Sequence, residues 1–330
     1  MNDHRPQALP ILEQSAIDLA SVPRWPSPGS VEDCFSATLR KGLDGLLRWE
    51  ETAYSSDDIE GVHQMRVSAR RMRSALPMFR PALPNAVTEP WALEMRWVGG
   101  WLGRARDLDV LVLRGLSDAI ADPGHPGHGK LAALAEHHRR VARDTVRQRI
   151  KGSRYRRFTS GFVDWVDGRR WHEEDLSPVH RRMLEGAAAD FARAVLERRM
   201  HQTLRTGERC GSYEPAAMHR LRLQCKKLRY AAEFFTPFFP GIEDFVRQTV
   251  DLQELLGVMS DIMVIERLTR EMLRYEDDPD LLAYSTLLTA RRLKRYRAAE
   301  AGFAQSWQEL LGVPRPWRHA IPILAPEEAG

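Results

Sequence analysis

The chain has 330 residues, of which 43% are hydrophobic and 28% are charged, which is enough apolar material for a large core and excludes intrinsic disorder. Lys and Arg total 49 against 45 Asp and Glu, a net charge of +4, so composition alone does not indicate a polyanion as partner. No apolar run approaches the ~20 residues of a membrane helix, and the N-terminus lacks the basic-then-apolar order of a secretory signal. We therefore expect a cytoplasmic protein of about two domains, or two halves of one.

Helical patterns fill the chain between two Pro-rich ends, because apolar residues recur at spacings of three and four and alternating β-branched runs are few. The ends are an N-terminal arm, 1–28, and a C-terminal tail, 311–330. The predicted helices cover, in chain order, 31–55, 61–82, 88–121, 129–168, 178–205, 214–237, 241–275 and 279–311. Pro77 falls inside the second of these and should kink it.

An internal repeat connects the two halves of the chain. Residues 63–73 read His-Gln-Met-Arg-Val-Ser-Ala-Arg-Arg-Met-Arg, and residues 219–229 read His-Arg-Leu-Arg-Leu-Gln-Cys-Lys-Lys-Leu-Arg, so each basic position of the first copy is basic in the second. The Gly, Asp and Val of 102–110 also recur with the same spacing in 256–264. The repeat predicts an all-α protein of two tandem four-helix bundles related by pseudo-two-fold symmetry. The first bundle would cover 29–170 and the second 171–310.

The basic residues of the repeat share one face of each predicted helix, because ~100° per residue places them in a stripe about 80° wide. The first stripe consists of His63, Arg66, Arg70 and Arg73. The second stripe consists of His219, Arg222, Lys226 and Arg229. Two further basic residues lie beside the stripes: Arg71 and Lys227.

Neither stripe contains an acidic residue, although a solvated helix face normally mixes the two signs. Like charges one turn apart repel, and a bound anion would offset this cost. The Arg fork can hold two phosphate oxygens at once, and a pitch of about 5 Å suits a linear polyanion with closely repeated charge. The alternative is that acids of neighbouring helices, such as Asp107, Asp109 and Asp261, neutralise the stripes. We interpret Asp107 and Asp261 as residues that hold an Arg from behind.

Further basic residues surround the second repeated motif and the fourth and eighth predicted helices. If these helices flank the stripes, both halves could present one continuous positive surface. The additional candidates for anion binding are Arg104, Arg106, Arg143, Arg147, Arg291 and Lys294.

The motifs at 63–73, 102–110 and 219–230 resemble those of the CHAD family, the conserved histidine α-helical domain. The CHAD-like region is predicted to span 29–310. The resemblance implies paired four-helix bundles, a basic surface or central channel, and binding of inorganic polyphosphate without catalysis. It assigns the binding residues to the two stripes with Arg71 and Lys227. In the second half, 258–260 reads Val-Met-Ser where the first half carries arginines, which predicts weaker binding there.

The leading interpretation is a non-enzymatic protein that binds inorganic polyphosphate without a metal or cofactor and associates with polyphosphate granules. The alternatives are a nucleic-acid-binding protein, a phosphate-transfer or hydrolytic enzyme, and a helical adaptor for other proteins. Few aromatic residues lie between the stripes, which disfavours stacking on single strands. The repeated motif contains no nucleophile, and the P-loop-like stretch 124–130 is followed by Leu131 where Ser or Thr would hold Mg²⁺.

Overall fold

The protein is described by a computed structural model that covers residues 29–116, 121–210 and 214–319. The helices are α1 (Val31–Arg48), α2 (Glu50–Ser55), α3 (Ile59–Ala75), α4 (Asn85–Val110), α5 (Pro126–Lys151), α6 (Ser153–Asp167), α7 (Pro178–Glu185), α8 (Ala188–Gly207), α9 (Pro215–Phe235), α10 (Ile242–Met272) and α11 (Pro279–Gly312). These ranges contain no β-strand, which confirms the all-α class. The predicted arm 1–28 and the tail beyond residue 319 lie outside the described residues.

The predicted kink at Pro77 is wrong, because α3 ends before the proline is reached. The last helical residue is Ala75, with Leu76 as its C-cap. Pro77 has no N–H to donate and its ring would clash with the preceding turn. The chain instead passes into turns, where the N–H of Met78 donates to the Ala75 carbonyl at 2.8 Å.

Three predicted helices are divided by short breaks, at Trp49, Gly152 and Gly186. Gly152 and Gly186 have extended backbone, with ψ of 146° and 164°. At the third break the chain meets the start of α1, since the N–H of Val31 donates to the Gly186 carbonyl at 3.0 Å. These breaks adjust the helix directions without changing the order of the predicted segments.

The two basic helices lie where the halves of the chain meet. Helix α3 packs against α1 and α4, α9 packs against α8 and α10, and α3 also contacts α9. Phe79 and Phe235, which occupy equivalent positions after the two motifs, have ring centroids 6.3 Å apart. The apolar faces opposite the stripes are buried: Met65, Ala69, Met72, Leu76 and Phe79, and Leu221, Cys225, Leu228, Ala232 and Phe235.

The first part of the predicted C-terminal tail packs on the second half of the chain. Trp317 is buried, and its ring lies edge-on to Phe245 of α10 with centroids 4.7 Å apart. Its indole N–H donates to the Glu197 carboxylate of α8 at 3.1 Å. Among the described helices, none has a stretch long and apolar enough to cross a membrane.

Candidate anion-binding site

The stripe on α3 is only partly neutralised. His63, Arg66 and Arg70 are half-buried and Arg73 is exposed. Arg66 Nη2 lies 3.5 Å from Asp107 Oδ1 of α4, which is the type of contact predicted for Asp107. For Arg73, the described part of the chain supplies cationic neighbours and Tyr230 but no acid. This stripe therefore keeps positive charge at its C-terminal end.

Asp107 also connects the two halves. Its Oδ2 lies 3.5 Å from Arg267 Nη2 of α10, while its Oδ1 faces Arg66. Burial raises the pKa of the Asp107 carboxyl, although the charges of Arg66 and Arg267 act in the opposite direction. The equivalent role predicted for Asp261 stays a prediction.

Glycines of the second repeated motif lie beside the stripes. A Cβ added at Gly103 of α4 would lie 3.9 Å from Arg66 Nε, and one added at Gly257 of α10 would lie 3.8 Å from Arg222 Nη2. Because glycine has no side chain, α4 and α10 lie close to these guanidinium groups, and a Cβ at either position would be in ordinary van der Waals contact with them. The repeated Gly thus lies next to a guanidinium in both halves.

The stripe on α9 differs from its counterpart at its C-terminal end. His219 is exposed, and Arg222 and Lys226 are half-buried. Arg222 Nε is buried without a hydrogen-bond partner among the described residues. Arg229, however, is only 2% exposed, and its Nε lies 3.5 Å from Glu233 Oε1. The prediction that Arg229 belongs to the exposed stripe is wrong, because α3 packs across this end of α9.

The two outlying basic residues also differ. Arg71 crosses from α3 to α9, where its Nη2 lies 3.4 Å from Glu233 Oε2. The repeat counterpart of Arg71 is Lys227, which is exposed, and the counterpart of Glu233 is Pro77. Lys227 therefore has no equivalent carboxylate, whereas Arg71 is neutralised at the α3–α9 crossing.

Sequence reasoning missed Tyr230, which directly follows the second motif. The guanidinium of Arg70 lies 5.6 Å from the centroid of its ring, and that of Arg229 lies 5.2 Å away. Its hydroxyl is buried with no hydrogen-bond partner in the described ranges. The first motif carries Ser74 at this position, so the repeat gave no signal for an aromatic cation partner.

Both motif histidines have lowered pKa values. Burial lowers the pKa of His63 to about 4, and the charges of Arg106, Arg70 and Arg66 add to the effect. Burial and then Arg222 lower the pKa of His219. Both imidazoles are therefore neutral at pH 7. A neutral imidazole can donate one hydrogen bond and accept another.

We expect the free energy of unfolding to fall as the pH is lowered from about 6.5 to about 4, because the unfolded chain then binds a proton at His63 that the folded protein does not. The shift corresponds to at most about 3 kcal/mol at the acid end. Urea denaturation at about pH 7 and about pH 5 measures the fall, which should be smaller in His63→Gln. The raised pKa of Asp107 has the opposite effect, since it increases the free energy of unfolding as the pH falls. Because Asp107 is present in both the wild type and His63→Gln, it does not account for a difference between them. Identical pH profiles would contradict this role of His63.

The candidates on α5 are structural. Arg143 is 5% exposed, with Nη2 3.1 Å from Asp109 Oδ1. Arg147 Nη2 lies 2.7 Å from Asp57 Oδ1, and Nη1 lies 3.0 Å from Asp144 Oδ1. The prediction that Arg143 and Arg147 extend the basic surface is wrong, since acids from outside and within α5 neutralise them. Asp109, considered as a partner of the stripes, serves α5 instead.

Two other candidates also pair with acids. Arg104 Nη1 lies 2.6 Å from Glu271 Oε2 of α10, and Arg291 Nη2 lies 3.3 Å from Asp122 Oδ2. The Arg104–Glu271 pair is a second ion pair that connects α4 to α10. We therefore leave both arginines out of the candidate site.

The last two candidates differ in exposure. Arg106 is buried and lies close enough to His63 to lower its pKa. Lys294 is exposed on α11. The charge of Arg106 thus acts on His63 of the α3 stripe, whereas Lys294 lies on a helix that carries neither stripe.

Two histidines of the P-loop-like stretch 124–130 have structural contacts. His125 caps α5 by accepting a hydrogen bond from the Gly127 N–H at 3.0 Å. His128 Nδ1 lies 2.8 Å from the Tyr284 hydroxyl. In the ranges that the structure describes, no three His, Cys, Asp or Glu side chains are grouped as a metal site would require.

A profile of the CHAD domain matches residues 37–270, a range that includes α3 and α9 entire. The chain belongs to the CHAD family. The CHAD domain of the plant Ricinus communis has a similar solved structure, with a TM-score of 0.76 and 26% identity over 89% of this chain and 96% of that chain. PptA from Streptomyces chartreusis shares the fold, with a TM-score of 0.64 and 20% identity over 85% of this chain and 100% of that chain.

Two sequences named as uncharacterized proteins of Mycobacterium tuberculosis, MT2285 and Rv2226, are similar to this CHAD domain. Each is 25% identical over 266 residues, which is 74% of this chain and 46% of the relative. The chain thus spans about half the length of these curated relatives.

Proposed function

We propose that this CHAD domain binds inorganic polyphosphate non-enzymatically through the basic stripes on α3 and α9. The observation that carries the proposal is that two helices with all-basic faces meet between the halves, each with a glycine of a neighbouring helix beside one of its arginines. The refined stripe residues, which we call the stripes from here on, are His63, Arg66, Arg70, Arg73, His219, Arg222 and Lys226.

The geometry favours contacts to a linear phosphate chain. Arg and Lys recur about every turn along each helix, and Arg can bind two oxygens of one phosphate. A pseudo-two-fold relation between the repeats stays a prediction. It would place the two stripes so that one polymer chain could contact both. A chain long enough to reach both stripes would then gain from effective concentration, so affinity should rise with chain length.

A nucleic acid is the second candidate, and the surface offers it little beyond charge. Tyr230, Phe234 and Phe235 are the aromatic residues of α9, and all are buried, while α3 has none. Base stacking on exposed aromatic rings is therefore not available on the stripes.

Titration with polyphosphate of defined lengths tests the proposal, with RNA as competitor at equal phosphate concentration. We expect affinity to rise with polyphosphate length and RNA to displace the longest chains poorly. Efficient displacement by RNA would favour the nucleic-acid-binding alternative.

Incubation with polyphosphate and Mg²⁺ should release no orthophosphate, and release that is lost in His63→Ala would show an enzyme instead. Co-localisation with polyphosphate granules in cells tests the proposed association.

The affinity should fall steeply with salt concentration, because Arg and Lys side chains that bind phosphate groups release counterions from the polymer. If Arg66, Arg70, Arg73, Arg222 and Lys226 each neutralise one phosphate, log affinity should fall against log salt with a slope of about −3.5, using ~0.7 per contact for a single strand. Binding measured at several salt concentrations gives the slope. A slope near zero would mean that phosphate contacts do not provide the affinity.

A further inference from the structure

A second set of basic side chains lies around the C-terminal part of α8. We call Arg80, Arg198, Arg199 and Lys227 the α8 cluster. Arg80 follows α3, Arg198 and Arg199 lie on α8, and Lys227 lies on α9, which packs against α8. Arg199 is half-buried and the other side chains are exposed. Only Lys227 belongs to the repeated motif.

Acids do not neutralise this cluster within the described residues. Arg199 Nη1 donates to Gln202 Oε1 at 3.1 Å, and Gln carries no charge. Burial and then the charges of Arg198 and Arg80 lower the pKa of Arg199, and burial and then Arg199 lower the pKa of Lys227. These side chains are therefore close enough to repel one another, and their proximity reduces stability unless an anion binds.

The α5 arginines show that the fold supplies acids where cations are structural. Arg143 and Arg147 both contact carboxylates from other parts of the chain. Arg71 likewise has Glu233, whereas its counterpart Lys227 has Pro77 at the equivalent position. The α8 cluster departs from this pattern, so a structural role as ion-pair partner does not account for it.

An apolar groove of about 360 Å³ has Arg198 of this cluster in its lining. It runs along α8 from Ala187 through Phe191 and Val195 to Arg198, and Pro81 lines its opposite side. This span of α8 is about 16 Å long at 1.5 Å per residue. Asp190 also lines the groove, and its carboxylate is held by Arg193 at 2.8 Å.

We infer that the α8 cluster is a second anion site, distinct from the stripes, that binds a phosphate group. Arg198 and Arg199 supply planar donors for phosphate oxygens, and Arg80 and Lys227 supply further charge. The phosphate can belong to a free oligophosphate, or to a molecule whose apolar part lies in the groove. The site does not depend on polyphosphate binding at the stripes.

Calorimetric titration of the full chain with tripolyphosphate tests the inference. The wild type should show two sites, and Arg198→Glu with Arg199→Glu should weaken one of them at least ten-fold. The stripe variant Arg66→Glu with Arg222→Glu should keep the α8 site. The charge-matched control Arg156→Glu with Arg157→Glu, at exposed positions of α6, should keep both.

A milder variant, Arg80→Gln with Arg198→Gln, changes only exposed side chains and separates lost binding from lost folding, which far-UV circular dichroism monitors. It should also weaken the α8 site. Tripolyphosphate binding that is unchanged in both cluster variants, or a wild type with a single site that the stripe variant loses, would overturn the inference. A wild type that binds tripolyphosphate at the α8 cluster but not long polyphosphate would instead contradict only the proposed function.

Titration with octyl phosphate distinguishes the two sources of the phosphate group. Binding at least ten-fold tighter than inorganic phosphate, lost in the cluster variants, would support the site and place an apolar body in the groove. Octyl phosphate no tighter than inorganic phosphate, with tripolyphosphate tighter than both, would support the site for a free oligophosphate. Octyl phosphate binding that appears only after deletion of residues 1–28, with no tripolyphosphate site at the cluster, would overturn the inference in favour of the N-terminal arm as occupant.

Discussion

Long-chain polyphosphate should bind far more weakly when Arg66, Arg70, Arg222 and Lys226 are all changed to Glu. The substitution replaces attraction with repulsion in both stripes, and the effect is large because closely spaced charges act together on a polyanion. We expect affinity to fall by more than a hundred-fold, and titration with a long chain measures it. Glu is a good helix former, so far-UV circular dichroism should show unchanged helicity.

A charge-matched control separates the stripes from net charge. Arg140, Arg156, Arg157 and Arg297 are exposed, and changing them to Glu alters the net charge by the same amount. This control should bind within a few-fold of the wild type. Equal loss in both variants would mean that overall charge governs binding, and unchanged affinity in the stripe variant would refute the assignment.

Asp109→Ala should destabilise the protein by about 3–5 kcal/mol, because the buried Arg143 then keeps only Asp57 Oδ1, 3.8 Å from its Nη1, as counter-charge. Asp109 is fully buried, and it accepts hydrogen bonds from Arg139 Nε at 2.8 Å and Arg143 Nη2 at 3.1 Å. Arg143 is itself buried and cannot regain water without opening the α4–α5 contact. The free energy of unfolding in urea measures the loss.

Asp144→Ala is the matched control, since Asp144 pairs with Arg147 at a site where its side chain is 62% exposed. It should cost less than about 1 kcal/mol. Adding Arg143→Met to Asp109→Ala should recover part of the stability, because the poorly compensated buried charge is then removed. A loss below about 1 kcal/mol for Asp109→Ala alone would show that Arg143 finds another partner or water.

The helices could be predicted because their signals are local. Pro178 and Pro279 each begin a helix behind a capping Ser or Asp, as their sequence positions indicate. The break at Gly186 could not be predicted, since its carbonyl accepts a hydrogen bond from Val31, more than a hundred residues away in the chain. Contacts of that kind leave no periodic trace in the sequence.

In the candidate site, too, the features set by local sequence could be predicted, and those set by contacts between distant helices could not. Angular spacing was enough to group His63 with Arg66 and Arg70 on one face of the helix. The burial of Arg229 depends on how α3 crosses α9, and the neutralisation of Arg143 depends on Asp109 of another helix. A helical wheel shows neither how two helices cross nor which helix supplies an ion-pair partner. The structure was therefore needed to show that Arg229 and Arg143 do not belong to the exposed site.

The ion pairs between α4 and α10 have a consequence for the energetics of association. Asp107 contacts Arg267, and Arg104 contacts Glu271, so α4 and α10, which pack on α3 and α9 respectively, are joined across the halves before any ligand arrives. A polymer that spans α3 and α9 would meet preorganised partners and would lose little additional conformational entropy of the protein on binding. High ionic strength would weaken binding in two ways. It would screen the charge of the polymer, and it would weaken the ion pairs that join α4 to α10.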